Sequence, residues 1–173
     1  MSQLLTHPLT TDGPALSRLV AGMMSLADWN LTAAERLDWI HAMLDLGVTT
    51  FDHADIYGDY TCEQLFGEAL ALEPGLRQRM QLVTKCDIKL ISPNRPEHSI
   101  KHYDTSTAHI ITSVNNSLRN LQTDVIDLLL IHRPDPLLNP DEVAQAFAQL
   151  KAAGKVRHFG VSNFTPSQID MLA

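Results

Sequence analysis

Cysteine is scarce in this chain of 173 residues, which contains only Cys62 and Cys86. The two have neither the spacing of a zinc motif nor enough partners for a disulfide framework. A reducing compartment therefore suits the chain better than an oxidising one, and we expect both thiols to be free. Because a domain of this length buries roughly 70% of the surface of its unfolded chain, a hydrophobic core can form without cross-links.

Long basic runs and long apolar runs are also missing. The chain has 13 Lys and Arg against 20 Asp and Glu, which gives a formal net charge of −7. Nucleic acids and anionic membranes attract basic surfaces, so neither is predicted as a partner. No apolar stretch approaches the roughly 18 residues of a membrane span, and the N-terminus lacks the pattern of a signal peptide. We expect a cytoplasmic protein.

Amphipathic helices are the first feature that is present. A helix signature combines a capping residue, apolar side chains every three or four positions and a terminal glycine or proline. Five segments carry it, beginning near Thr32, near Thr61, before Ile110, at Asn139 and at Thr165. A glutamate or glutamine three residues later predicts capping boxes at Thr32, Thr61 and Thr165.

Short runs rich in β-branched and apolar residues lie between the helices and predict strands. They cover residues 17–23, 48–52, 80–85, 125–132 and 156–162. This alternation implies a parallel sheet, either in an α/β barrel or in a doubly wound sheet. A doubly wound nucleotide-binding domain usually has a glycine-rich turn after its first strand. This chain has only Gly22 at that place. The pattern therefore favours about five strands of a barrel.

One long connection interrupts the alternation. Residues 86–104 link the third strand to the third helix and contain Pro93, Asn94 and Pro96. Loops of this length in compact domains are usually functional or disordered. Because this one follows the C-terminal end of a strand, we expect a flap near a site.

Polar side chains follow four successive strands, and barrel enzymes collect their reactive residues at such strand ends. They are Asp52 with Tyr57 in the next loop, Lys85, His132, and the pair Ser162 and Asn163. Each has an ordinary structural alternative: a turn cap, a solvated amine, a core-edge histidine or a packing tyrosine. Their joint position at one rim favours a catalytic site.

The other histidines predict no metal site. His98 and His102 have helical i, i+4 spacing, but no carboxylate motif accompanies them. The same holds for His7, His41, His53, His109 and His158.

Four motifs in order resemble the aldo-keto reductase family. They are FDHADIYG around Asp52 and Tyr57, TKC around Lys85, LLLIHRPDP around His132, and GKVRHFGVSNF, which contains Ser162 and Asn163. Each motif alone is weak evidence, but their shared order and spacing are specific. The similarity runs over essentially the whole chain. More narrowly, the chain resembles a bacterial branch of predicted oxidoreductases.

The resemblance implies a (β/α)8 barrel that reduces aldehydes and ketones to alcohols with NADPH. It assigns a catalytic tetrad to Asp52, Tyr57, Lys85 and His132. It further implies that Ser162 and Asn163 hold the nicotinamide carboxamide, and that Asp52 and the backbone near Gly22 and Met23 lie along the cofactor. The small carbonyl substrate itself is not identified.

Each implied role has a physical reason. Hydride addition to a carbonyl builds negative charge on oxygen, so a proton donor is needed there, and Tyr57 can supply it. An adjacent ammonium at Lys85 favours the phenolate and so eases proton release. A carboxylate at Asp52 compensates the charge of a buried lysine, and His132 can orient the substrate oxygen.

Two residues depart from the pattern common in the family. His53 stands where many members have a small residue, and Arg133 stands where an aromatic residue often follows the tetrad histidine. Either change is expected to act on substrate or cofactor preference rather than on the tetrad.

The length of the chain is a larger departure. A barrel of this type takes about 250 residues and eight strands. Residues 1–173 are therefore interpreted as the N-terminal portion of an aldo-keto reductase domain, without the aromatic residue and the basic loop that hold the cofactor in the family. We expect impaired activity, and exposed sheet edges that favour self-association. A truncated product, a partial sequence and a self-associating half-barrel all remain open.

Two alternative functions stay open from the sequence alone. A strand-end lysine in a barrel can form a Schiff base, so Lys85 could serve a lyase. An inactive barrel fragment could instead bind a partner through its open sheet edge.

Overall fold

The computed structural model describes residues 6–11 and 13–172 of the chain. The strands of this part are β1 (Thr6–Pro8), β2 (Ala15–Ser17), β3 (Val20–Gly22), β4 (Thr50–Asp52), β5 (Gln81–Cys86), β6 (Ile88–Lys89), β7 (His102–Tyr103), β8 (Ile126–Ile131) and β9 (Val156–Val161). The helices are α1 (Ala33–Asp45), α2 (Tyr57–Tyr60), α3 (Cys62–Leu72), α4 (Thr107–Asn120), α5 (Pro140–Ala152) and α6 (Pro166–Asp170).

A parallel sheet of five strands forms the centre, in the order β3-β4-β5-β8-β9. Every neighbouring pair in it is parallel, and each pair is separated in the chain by a crossover. Two antiparallel hairpins, β1-β2 and β6-β7, lie outside this sheet. The predicted alternation of strands and helices in a parallel sheet is therefore confirmed.

Helix starts follow the sequence signals in most cases. The capping boxes at Thr32 and Thr165 are both formed, and the Asn139 side chain accepts a hydrogen bond from the backbone N–H of Asp141. The box predicted at Thr61 is wrong. Thr61 has helical backbone angles, and its hydroxyl donates to the carbonyl of Gly58 at 2.5 Å instead of capping α3.

The first predicted strand is also different in detail. Residues 17–23 do not form one strand, because Ser17 ends β2 and Val20 begins β3. The Ser17 hydroxyl accepts hydrogen bonds from the backbone N–H groups of Thr49 and Thr50 and donates to the carbonyl of Leu19. A side chain engaged with three backbone groups fixes a bend here, which the apolar pattern of the segment does not indicate.

The core lies between the sheet and the helices, in two clusters. One surrounds Phe51 and Phe66, on the side of α1 and α3. The other surrounds Ile110, Leu129 and Ile131, on the side of α4 and α5. Since side chains alternate along a strand, the residues next to these core positions point to the opposite face of the sheet. Asp52 and His132 occupy such positions at the ends of their strands.

The long connection after β5 is an ordered structure in this protein. It carries the β6-β7 hairpin, and the backbone N–H of Leu90 donates to the hydroxyl of Tyr60 at 2.8 Å. The side-chain amide of Asn94 donates to the carbonyl of Asp59. The segment is therefore tied to the turn that follows Tyr57, while its role as a flap stays a prediction.

Two further expectations concern the cysteines and the membrane. Cys62 and Cys86 are both free thiols, as predicted, and both are buried. Within the described ranges, no helix is long and apolar enough to pass through a bilayer.

Candidate active site

Lys85 is the centre of a polar cluster at the C-terminal rim of the sheet. Its Nζ atom lies 2.7 Å from both carboxylate oxygens of Asp52 and 2.7 Å from the carbonyl oxygen of His53. It also lies 3.2 Å from the hydroxyl of Tyr57. A buried ammonium needs a counter-charge and hydrogen-bond acceptors, and this arrangement supplies both.

Strand register explains why these groups meet. In the parallel sheet Asp52 of β4 is paired with Val83 of β5, two positions before Lys85. Lys85 is paired with Leu130 of β8, again two positions before His132. Because residues two apart share one face of a strand, all three functional side chains project from the same face at successive strand ends.

Tyr57 sits at the start of an unusual turn. Gly58, Asp59 and Tyr60 all have positive φ angles, from 56° to 68°. A Cβ atom on Gly58 would lie 2.4 Å from the Sγ atom of Cys62 and 3.0 Å from the Cβ atom of Ala27, so a larger residue has no space here. The turn directs the phenol back over Lys85, whose Nζ lies 5.0 Å from the centre of the ring.

His132 completes the cluster from the next strand. Its ring lies edge-on to Tyr57, with 6.0 Å between the ring centres. Burial, with the positive charges of Lys85 and Arg133, lowers the pKa of His132 to about 4. The ring is therefore neutral near pH 7. Its Nδ1 atom is buried and has no hydrogen-bond partner among the described residues.

Ser162 and Asn163 follow β9 at the same rim. The amide nitrogen of Asn163 donates to the carbonyl of His132 at 3.1 Å and to the hydroxyl oxygen of Ser162 at 2.8 Å. This leaves the Ser162 hydroxyl hydrogen and the Asn163 Oδ1 atom for an external amide, which needs one donor and one acceptor. The donor set fits a nicotinamide carboxamide.

Gly22 and Met23 lie on the other side of the cluster. Met23 is fully buried, and its backbone N–H donates to the carbonyl of Asp52 at 2.9 Å. Gly22 is paired with Asp52 in the sheet, and a Cβ atom built on it would meet no other atom within 4 Å. The backbone of Gly22 therefore borders open space at the rim.

A sequence profile described as Aldo/keto reductase family matches residues 18–173. The chain belongs to the aldo/keto reductase family. The matched region contains all four residues of the Lys85 cluster, so family membership and the geometry concern the same part of the molecule.

Two similar proteins show how far the match extends. The uncharacterized oxidoreductase YcsN of Bacillus subtilis (strain 168) is 60% identical over 156 residues, which cover 90% of this chain and 52% of YcsN. The oxidoreductase YdhF of Escherichia coli (strain K12) is 57% identical over 164 residues, which cover 95% of this chain and 54% of YdhF. This aldo-keto reductase chain thus spans about half the length of the curated relatives it matches.

A solved structure supports the architecture. The aldo-keto reductase AKR11C1 from Bacillus halodurans, in its holo form, superposes with a TM-score of 0.81 at 32% sequence identity. The match covers 98% of this chain and 53% of the other. The predicted fold class, the N-terminal part of a (β/α)8 barrel with about five strands, is confirmed.

Two buried carboxylates near the cluster were missed by sequence reasoning. Asp55 accepts a hydrogen bond from the hydroxyl of Ser113 at 2.7 Å, and burial raises its pKa to about 8. Although Asp55 as a residue is partly exposed, its Oδ1 atom is buried and without a partner among the described residues. Burial also raises the pKa of Asp87 to about 7. Asp55 lies within the FDHADIYG motif and Asp87 directly follows the TKC motif. This proximity is the sequence signal that could have pointed to them.

The two departures from the family pattern lie in different surroundings. The ring of His53 is fully buried and packs edge-on against Phe66, 4.6 Å between ring centres, so it belongs to the core rather than to the rim. Burial and the charge of Lys85 lower the pKa of His53 to about 3. Arg133 is exposed next to His132, where its side chain can face a ligand.

His98 and His102 have hydrogen-bond partners within the long connection. The Nδ1 atoms of His98 and His102 lie 3.0 Å and 2.9 Å from the backbone carbonyls of Leu90 and Ile100. Across residues 6–11 and 13–172, no group of three or more His, Cys, Asp or Glu side chains is arranged to hold a metal ion.

Proposed function

We propose that these residues form the N-terminal portion of the domain of an NADPH-dependent reductase that converts aldehydes or ketones into alcohols. The observation that carries the proposal is the contact of Lys85 Nζ with the Tyr57 hydroxyl at 3.2 Å, beside Asp52. Members of the family generally use a nicotinamide cofactor and act on small carbonyl compounds. The buried free thiols support a reducing, cytoplasmic location.

The protonation chemistry is assigned to the chain itself. The bound nicotinamide would supply the hydride for the carbonyl carbon. Tyr57 donates the proton to the carbonyl oxygen, and the positive charge of Lys85 stabilises the phenolate that remains. Asp52 supplies the counter-charge of this ammonium within a buried site. The neutral His132 ring orients the carbonyl oxygen between itself and Tyr57.

Binding of the cofactor is assigned to the residues around this cluster. Ser162 and Asn163 would hold the carboxamide through the donor and acceptor left free by their mutual hydrogen bond. The open space beside Gly22, next to the backbone of Met23, would accommodate the cofactor. We propose NADPH rather than NADH as the cofactor because of the family resemblance.

Substitution of Tyr57 by phenylalanine tests this function. The assay uses a chimera in which residues 1–173 are followed by the part of YdhF that this chain does not match. We expect the chimera to oxidise NADPH in the presence of small aldehydes. Tyr57→Phe should lower this turnover at least about 100-fold, because general acid catalysis contributes roughly 10²–10⁴. Tyr103→Phe is the matched control, since Tyr103 is exposed on β7. Wild-type turnover in Tyr57→Phe would exclude the proton-donor role.

The chain of 173 residues alone should have little or no turnover. Under the family resemblance it lacks the groups that hold the adenosine phosphates, so we expect weak quenching of NADPH fluorescence. NADPH oxidation by the chain alone that disappears in Tyr57→Phe would contradict this expectation.

The lyase alternative is not favoured by the geometry. A Schiff base requires an unprotonated amine, whereas two carboxylate oxygens of Asp52 hold the Lys85 ammonium. Borohydride treatment in the presence of a carbonyl compound should therefore leave Lys85 unmodified.

A further inference from the structure

Asp87 is a buried carboxylate immediately after β5, and it has a backbone conformation that is unfavourable for an aspartate. Its φ angle is 110°, in the left-handed half of conformational space, and the residue is fully buried. Residues other than glycine rarely adopt such angles, so the surroundings must hold Asp87 in place. The contacts of Asp87 show which parts of the chain it connects.

The carboxylate of Asp87 reaches the segment that follows β8. Its Oδ2 atom accepts a hydrogen bond from the backbone N–H of Arg133 at 3.0 Å. The peptide unit that joins His132 to Arg133 is therefore fixed by a side chain from the neighbouring strand end.

His132 is fixed on its other sides as well. Its backbone N–H donates to the carbonyl of Cys86 at 3.0 Å, and its carbonyl accepts from the side chain of Asn163 at 3.1 Å. The Nδ1 atom of its ring has no hydrogen-bond partner among the described residues. No hydrogen bond at Nδ1 therefore orients the ring. Apart from its edge contact with Tyr57, the direction of the ring follows the backbone, and within residues 6–11 and 13–172 the carboxyl group bonded to this backbone is that of Asp87.

The same residue also fixes the base of the long connection. The backbone N–H of Asp104 donates to the carbonyl of Asp87 at 2.8 Å, directly after the β6-β7 hairpin. Asp87 thus joins the end of β5, the base of the connection and the peptide unit after His132.

We propose that Asp87 is a positioning residue for His132, and that its carboxylate sets the direction of the imidazole by holding the peptide unit between His132 and Arg133. This inference rests on the proposed function, which gives His132 its role in catalysis. The claim that Asp87 positions the imidazole can be tested without measuring turnover. Asp87 does not touch the reacting atoms in this arrangement.

The test measures the titration of His132 by NMR in the chain labelled with ¹³C-histidine, with the signal assigned through His132→Gln. Asp87→Gly removes the carboxylate and at the same time relieves the backbone strain. We expect the ring to become more exposed, and its pKa to rise from about 4 towards the ordinary value of about 6.5. Asp87→Asn keeps an acceptor oxygen and should titrate like the wild type.

His53 serves as an internal control because it is buried in the core and its pKa is also low, at about 3. If Asp87→Gly raises the pKa of His132 and leaves that of His53 unchanged, the positioning role is supported. If both rise together, Asp87 supports the fold in general and the proposal is overturned. It is also overturned if neither changes.

A second measurement does not depend on the stability of a variant. Hydrogen exchange in the wild-type chain should show a protected backbone amide at Arg133, an otherwise exposed residue. Rapid exchange at Arg133 beside slow exchange at His132 would overturn the proposal. Loss of reductase activity alone would concern the proposed function and leave these two measurements unaffected.

Discussion

Lys85 and Asp52 form the ion pair on which the candidate site depends. Lys85 is almost fully buried, with its side chain 7% exposed, and Asp52 is 29% exposed. A buried charge that loses its partner destabilises a protein far more than the intact pair stabilises it. The pair is therefore a requirement of the fold as well as of the proposed chemistry.

Asp52→Asn should destabilise the chain by about 2–4 kcal/mol, slightly less than is typical of a completely buried pair because Asp52 is partly solvated. Urea unfolding followed by circular dichroism measures the change. Asp45→Asn, at the exposed end of α1, is the control and should change stability by less than about 0.5 kcal/mol. Equal effects of the two substitutions would show that the ammonium of Lys85 does not need its counter-ion.

Asp55 gives the stability a particular dependence on pH. Its pKa is raised from 3.8 to about 8 on folding. Between these values the folded chain keeps a proton that the unfolded chain releases, so the contribution of Asp55 to stability falls as pH rises from about 4 to about 8. Asp87, with a pKa of about 7, acts in the same direction. The buried histidines act in the opposite direction below pH 6.5.

Asp55→Asn should remove this dependence, since an amide resembles the protonated acid. The stability of the variant relative to the wild type should increase by on the order of 1–3 kcal/mol between pH 5 and pH 8. Urea unfolding at several pH values measures the difference, and contributions of the histidines cancel in it. Asp38→Asn, exposed on α1, is the control. A difference that stays constant with pH would contradict the assignment.

The grouping of Asp52, Tyr57, Lys85 and His132 at one rim could be predicted from the sequence because these residues stand at or just after strand ends in recognisable motifs. Asp87 and Asp55 could not, although they are adjacent to those motifs. Their roles depend on contacts with Arg133 and Ser113, which are 46 and 58 positions away in the chain. Local patterns carry no information about such pairs.

At the scale of elements, α3 and α4 approach each other closely at Gly67. A Cβ atom on Gly67 would lie 1.9 Å from the carbonyl oxygen of Asn120. This neighbour belongs to the backbone, so it cannot move aside as a flexible side chain would. The glycine therefore sets the distance between the two helices.

Gly67→Ala should destabilise the chain by about 3 kcal/mol, because overpacking against backbone forces the helices apart. The matched control is Gly75→Ala, where the added methyl group meets no atom within 4 Å. Thermal unfolding compares the two. If Gly67→Ala is as stable as Gly75→Ala, the close approach of the helices is not needed.

Most elements were predictable because their signals are local. The capping boxes at Thr32 and Thr165 depend only on residues three apart, and both form. The pattern failed at Ser17 and Thr61, where a hydroxyl binds backbone groups outside the predicted element or in the preceding turn. Competing hydrogen bonds of this kind are decided by the tertiary structure.

At the scale of the whole molecule, the central sheet has two edge strands, β3 and β9. Near the first edge Leu19 and Val20 are 58% and 48% exposed. Unpaired strand edges with apolar side chains promote association between chains. The five strands described here do not close into a barrel.

We expect the chain of 173 residues to self-associate in a concentration-dependent manner. Size-exclusion chromatography with light scattering should detect species larger than a monomer, and Val20→Lys should reduce them by placing a charge at the edge. Leu72→Lys, at an exposed position on α3, is the control. A strictly monomeric wild-type chain at high concentration would contradict the expectation.

The strands of the central sheet follow one another in space in the order in which they occur in the chain. Each new strand and helix can therefore dock on a neighbour that has already left the ribosome, and none has to wait for a distant partner. Since synthesis proceeds from the N-terminus at about 5–20 residues per second, assembly can keep pace with translation. Pairing of Lys85 with Asp52 requires only the first two crossovers, so the charged centre of the site can be in place before β8 and β9 emerge.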